Sequence, residues 1–188
     1  INKYTLGKNT QGISNYINKK NIVNKSVVIA FDCRNNSEYL AKKVSEVFSG
    51  NGIKVYLFSS LRPTPILSYC ITKLGCTCGI VLTASHNPPE YNGYKVYWTN
   101  GGQIVPPIDK ILINEINKVN YDKIKFEIQK NLIQLIDKKI DDSFLKDSIK
   151  FGKIGRSDRE NLKIVFTPIH GTSYKILPNV LKSAGYSD

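Results

Sequence analysis

The sequence predicts an α/β fold: three α/β/α layers around a mixed, largely parallel sheet, followed by the start of a second similar domain. Three observations carry this expectation. Apolar runs at Ser26–Phe31, 53–58 and 79–82 alternate with helical stretches. The runs are continuous or nearly so, as in strands covered on both faces. Strand, helix, strand, helix, strand is the signature of parallel βαβ units with right-handed crossovers.

The elements follow in order. Thr10 is placed to cap a short helix in which Ile13, Tyr16 and Ile17 share a face by i, i+3, i+4 spacing. The first strand runs into Asp32-Cys33-Arg34-Asn35-Asn36-Ser37. Ser37 is a good N-cap for a helix carrying Leu40, Ala41, Val44, Val47 and Phe48 on one stripe, ended by Gly50 and Gly52. After strand 53–58, Arg62-Pro63-Thr64-Pro65 offers Thr64 as N-cap and Pro65 at the first helical position. Ile66, Leu67, Cys70, Ile71 and Leu74 form the buried face of that helix, and Gly75 stops it. Strand 79–82 comes next. Tyr94–Trp98 reads as a further strand, Asn100-Gly101-Gly102 as a turn and 103–105 as a hairpin partner. Pro106-Pro107 precedes a helix with Ile108, Ile111, Leu112, Ile116 and Val119 on one face.

Beyond Asn120 the pattern weakens. A helix is expected around 133–149, and Gly152, Gly155 and Ser157 suggest a linker with a boundary near Ser157. Residues 161–166 read as a fresh strand, ending in Thr167-Pro168-Ile169-His170-Gly171-Thr172. Helical sequence then runs to Gly185, with Pro178 limiting where that helix can start. The expected organisation is a first domain at 1–120, a helical extension and linker at 121–160, and an incomplete second domain at 161–188.

Composition narrows the function classes. The 188 residues carry a net charge of +12, with lysines spread along the chain and no basic block interleaved with aromatics. Such charge is a solvated surface that attracts anions, and a nucleic-acid partner is not expected. No apolar run approaches the ~20 residues of a membrane span, and the start lacks a signal-peptide pattern. A cytoplasmic location with no membrane partner follows. The four cysteines fit no metal pattern, Cys76-x-Cys78 having the wrong spacing, and read as free buried thiols. The chain contains no Met and begins at Ile1 in sequence that looks mid-fold, so a fragment is expected.

The chemistry concentrates after strand 79–82. Leu82 leads into Thr83-Ala84-Ser85-His86-Asn87-Pro88-Pro89, then Glu90-Tyr91-Asn92-Gly93-Tyr94-Lys95. A strand that stops this abruptly delivers a loop at its carboxyl end, where open α/β sheets place ligands. Ser85 is flanked by Thr, His and Asn, all able to hydrogen-bond a phosphate. The prolines fix φ and stiffen the loop, as a positioned nucleophile requires.

This stretch, with Asn92-Gly93-Tyr94-Lys95 behind it, resembles the phosphoserine loop of the α-D-phosphohexomutase family, which holds the phosphoglucomutases and phosphomannomutases. Residues 10–16 resemble the segment that follows the family's first active-site loop; that loop, with its glycines and arginine, is not in this chain. The resemblance implies interconversion of a hexose 6-phosphate and its 1-phosphate through a phosphoserine at Ser85. A hexose 1,6-bisphosphate would serve as intermediate and activator. It also implies Mg²⁺ on the serine phosphate and on aspartates of a second-domain loop. Asp141-Asp142 does not match that aspartate pattern, which leaves Ser85, through its phosphate, as the metal contact.

Lys95 matches the lysine two residues after Asn-Gly and can carry the transferring proton; the competing reading is a solvated strand-end lysine. His86, Asn87 and Thr83 can hold loop and phosphate, or His86 can satisfy local backbone only. Asp32 and Arg34 resemble the family's Asp-x-Arg and orient the loop or form a structural ion pair. His170 and Gly171 resemble the second-domain turn that faces the site. Sugar contacts, the metal loop and the distal phosphate clamp belong to regions this chain lacks. The fragment is therefore expected to fold without catalysing, with a sugar phosphate and the missing domains of its own chain as partners. Glucose, mannose and pentose substrates are not separated. A reading from another class is a basic α/β module that binds anions or nucleic acid without chemistry. A serine hydrolase is disfavoured because the Gly-x-Ser-x-Gly elbow is missing.

Overall fold

Helix α1, Lys3–Lys19, begins with a capping box. Asn2 Oδ1 accepts from the amides of Tyr4 and Thr5, and Thr5 Oγ1 accepts from the Asn2 amide. The helix therefore starts a turn and more before Thr10. Instead of capping, Thr10 is buried inside it, donating to Leu6 O at 2.8 Å and meeting Tyr94 Oη at 3.1 Å. The computed structural model describes residues 1–20, 22–152, 159 and 161–186.

Strand β1, Ser26–Phe31, is buried along its whole length. It leads to α2, Ser37–Gly50, whose N-cap is Asn36 in the left-handed region rather than Ser37. The Ser37 hydroxyl is drawn to Asp32 Oδ1 at 2.9 Å and leaves the helix end. Strand β2, Lys54–Phe58, is followed by α3, Thr64–Leu74. Thr64 is the first helical residue there, not the cap, which is Pro63. Gly75 closes α3 at φ 64°, a conformation glycine adopts without steric cost. Strands β3, Cys78–Leu82, and β4, Tyr94–Trp98, come next, then α4, Ile108–Asn117. The expected hairpin partner at 103–105 is reduced to one bridge, Tyr97 to Gln103.

The chain continues through β5, Ile133–Ile136, and α5, Lys138–Gly152. A 3₁₀ turn at Thr172–Tyr174 precedes α6, Ile176–Ser183, where Pro178 sits in the first turn and breaks no hydrogen bond. Here the sequence expectation is corrected twice. A helix over 133–149 absorbed a strand that pairs parallel to β2, with Leu57 opposite Leu135. The expected strand at 161–166 forms no ladder among the described residues, and Val165 is 99% exposed. A strand is stable only against a neighbour. The boundary placed near Ser157, with Gly155, lies outside the described residues.

The sheet order is β4-β3-β1-β2-β5, with β4 antiparallel to β3 and the other neighbours parallel. One face packs Val27, Ile29, Ile80 and Leu82 under α1, α2 and α4. The other packs Val28, Ala30 and Val81 under α3 and α5. Three layers result, as predicted. Each fully buried aliphatic side chain contributes about 1.5–3 kcal/mol, so the two faces anchor the strand ends that build the site.

Candidate functional site

β1 and β3 are adjacent, but α2 leaves β1 on one face of the sheet and α3, which returns the chain to β3, lies on the other. Between their carboxyl ends lies the crevice where doubly wound sheets bind ligands. The β1–β3 pairing extends one residue beyond β1, Asp32 N donating to Leu82 O at the end of β3 at 3.2 Å. Asp32-Cys33-Arg34 and Thr83-Ala84-Ser85 are thereby set side by side.

The loop between β3 and β4 closes where Thr83 N donates to Gly93 O at 3.1 Å. Position 93 must be glycine, because a Cβ there would lie 2.5 Å from Thr83 O. Within the loop, Ser85 N donates to the buried Thr83 Oγ1 at 3.0 Å, and Ser85 sits at φ 58°. Asn87 folds back on Ala84 O through both its amide and its side chain, at 3.2 and 2.9 Å. Its role here is to shape the turn.

Arg34 staples this loop. Its guanidinium donates to the carbonyls of Ser85, Pro88 (2.6 Å) and Tyr91 (3.1 Å), while Nε meets Asp32 Oδ2 at 3.1 Å. The side chain is only 7% exposed. Asp32 in turn accepts from the Arg34 amide and the Ser37 hydroxyl. Asn92 adds a strut to Ser37 Oγ at 2.7 Å. Asp32 and Arg34 form an ion pair, and the same guanidinium bonds the loop carbonyls.

Ser85 is exposed, and with His86, Asn87, Thr83, Asp32 and Arg34 it lines a cavity of about 890 Å³. The opposite wall is the turn around His170, tied to the end of β1 by the Cys33 thiol donating to His170 O at 2.9 Å. Seven of the eight candidate residues meet here. Lys95 does not. It pairs across the ladder with Val81 on the edge strand β4, is half-buried, has no side-chain hydrogen bond or ion pair among the described residues, and lies outside the cavity wall.

The sequence reading missed Arg62. It lines the same cavity, 9% exposed, and is gripped by Asp141 Oδ1 and Oδ2 at 2.9 and 2.8 Å and by Ser60 Oγ at 2.6 Å. Its signal was available: an arginine at the carboxyl end of β2, before Pro-Thr-Pro. Among the described residues Asp32 is the only carboxylate in the wall, and it is already engaged. The cavity therefore suits an anion. Among the described residues no group of three or more His, Cys, Asp or Glu is arranged to hold a metal ion.

The cysteines divide. Cys70, Cys76 and Cys78 are buried in free form, as expected, but Cys33 is exposed. Burial pushes the thiols of Cys70 and Cys76 up to about 12 and about 11, and Cys78 higher still. Burial likewise raises the Tyr94 hydroxyl far above its usual range, so at neutral pH it serves only as a hydrogen-bonding partner of Thr10.

A family model described as phosphoglucomutase/phosphomannomutase, alpha/beta/alpha domain I, matches residues 1–123. The chain belongs to this family. It is 34% identical over 194 residues to a phosphoglucomutase of Staphylococcus haemolyticus, covering 100% of this chain and 35% of that protein. Against a protein of Haemophilus influenzae named "Probable phosphomannomutase" it is 34% identical over 188 residues, covering 98% of this chain and 38% of the relative. The chain thus spans about a third of the length of these curated relatives. Among solved structures, a phosphoglucomutase/phosphomannomutase family protein of Burkholderia thailandensis superposes with TM-score 0.74 at 18% identity, over 100% of this chain and 39% of that one. Parafusin (phosphoglucomutase) of Paramecium gives 0.71 at 19%, over 97% and 38%. At these identities the structures support the fold alone.

Proposed function

We propose that the chain is the amino-terminal part of a phosphohexomutase, in which Ser85 carries the phosphoryl group exchanged with a hexose phosphate. The observation that supports this most is the placement of the Ser85 hydroxyl. It is exposed on a loop held by Arg34, at the sheet's switch point, beside a cavity free of unpaired carboxylate. Phosphoryl transfer depends mainly on such positioning and on electrostatics. In the proposed reaction the phosphoryl group leaves Ser85 Oγ for a sugar hydroxyl oxygen, and the proton of that hydroxyl ends on Ser85 Oγ, giving the free serine. The reverse transfer from the bisphosphate restores the phosphoserine.

Lys95 belongs to the proposal as proton carrier on the strength of its place in the motif. Mg²⁺ belongs to it as the ion that neutralises phosphate charge. The described residues do not by themselves fit a resident Mg²⁺: Ser85 offers its phosphate alone, and Asp32 is engaged with Arg34. No step is therefore derived through the ion. The division into a first domain at 1–120, an extension at 121–160 and the start of a second domain at 161–188 is part of the same reading. So is a cytoplasmic location, which suits four free thiols. Among the described residues no helix is long and apolar enough to cross a membrane.

Intact-mass measurement before and after incubation with hexose 1,6-bisphosphate and Mg²⁺ tests the reading. One added phosphoryl group on the wild-type chain, and none on Ser85→Ala, is the expected result. A chain never phosphorylated, whose binding to RNA or DNA falls steeply with salt, would instead mark an anion-binding module. The isolated chain is expected to show no mutase turnover; rates near those of a full-length family member would refute that part.

A further inference from the structure

The wall opposite Ser85 repeats the Ser85 turn. In sequence, Ile80-Val81-Leu82-Thr83-x-x-His86 is matched by Ile164-Val165-Phe166-Thr167-x-x-His170. The geometry matches too. Ser85 N donates to Thr83 Oγ1 at 3.0 Å, and Ile169 N donates to Thr167 Oγ1 at 3.2 Å. Ser85 and Ile169 both take the left-handed conformation, at φ 58° and 52°. Asn87 N closes on Ala84 O at 3.2 Å, and Gly171 N closes on Pro168 O at 2.7 Å. A β-branched residue seldom adopts this conformation, so Ile169 bears a steric cost to keep the turn. It occupies the place of the serine and offers no nucleophile.

The histidines at the end of the two turns are the only two in the chain, and both line the one cavity. The two arginines in the wall are already engaged, Arg34 with carbonyls and Asp32, Arg62 with Asp141. Among the described residues no lysine lines the cavity. The side-chain donors open to an anion there include the two histidines and hydroxyls such as Thr64 and Thr172.

We propose that these two turns of matching geometry hold one phosphoryl group between them, His86 from one wall and His170 from the other. This rests on reading the cavity as a phosphoryl-transfer site. The 167–171 turn binds without reacting, and the 83–87 turn carries the reacting oxygen.

Two histidines make the test direct. Proton NMR of the chain gives two ring Hε1 signals, assigned with His86→Gln and His170→Gln. Inorganic phosphate is titrated at constant pH. Both signals are expected to move with one midpoint, and His170→Gln is expected to weaken phosphate binding about tenfold, the loss of one charge-assisted hydrogen bond. His170 is exposed, so this variant should keep the wild-type thermal midpoint. Movement of His86 alone, with unchanged affinity in His170→Gln, overturns the paired turns and leaves the Ser85 site standing. If neither signal moves, both readings fall.

Discussion

Two arginines stand in the same cavity wall, and they are held in opposite ways. Arg34 meets three neutral carbonyls of one loop and a single carboxylate already shared with Ser37. Arg62 meets a bidentate carboxylate on α5, with Asp137 at 3.5 Å behind it. The first fixes a reactive loop to the end of β1. The second fastens a distant helix to the β2–α3 connection. Removing Arg34 frees carbonyls that water can satisfy, whereas removing Arg62 leaves two carboxylates facing each other. Arg62 spends all its donors on protein partners, and Arg34 spends four of its five.

The contrast sets an order of effects. Arg62→Ala should cost the most, about 3–5 kcal/mol, as expected for stripping one partner from a buried pair. Urea denaturation would measure it. Arg62→Lys should recover part of the loss, because an ammonium cannot reproduce the bidentate fork. Arg34→Ala should cost about 2 kcal/mol, and its sharper signature is local. Amide exchange over 85–92 should accelerate while β1 stays protected. Loop amides exchanging as in wild type would break the staple interpretation.

α5 has a second anchor, nearer to water. Asp147 accepts from the Tyr69 hydroxyl at 2.7 Å and pairs with Lys73 and Lys150. Tyr69 first, then the lysines, hold its carboxyl down at about 2. A depressed carboxylate lends stability above its unfolded value, and that stability is lost as pH falls through the folded value. The thermal midpoint should therefore drop between about pH 4 and pH 2, and Asp147→Asn should flatten that limb. An unchanged acid limb would show that α5 depends on Arg62 alone. Lys95→Ala, on the edge strand and without partners, should move stability by no more than about 0.5 kcal/mol.

Legibility in the sequence followed the same divide between local and distant causes. β1 to β4 were readable because each is a compact run that packs on its neighbours. β5 was not. Ile133-Gln134-Leu135-Ile136 is a short edge strand with Leu135 62% exposed, and the helical spacing of Ile140 and Phe144 drew the helix back over it. Helix starts were misjudged wherever a capping side chain had a better partner, as Thr10 did in Leu6 O and Ser37 in Asp32. The Ser85 loop was legible because its determinants lie within a dozen residues. Arg62 was visible at the end of β2, but its anchoring was not, because its partner, Asp141, stands far along the chain.

Three of the four sulfurs lie under the sheet with their thiols held protonated, and the fourth, Cys33, opens onto the cavity rim. A maleimide dye added to the native chain would thus settle on a single atom without any engineering. Its emission would then report, in real time, whatever enters or leaves the crevice beside Ser85.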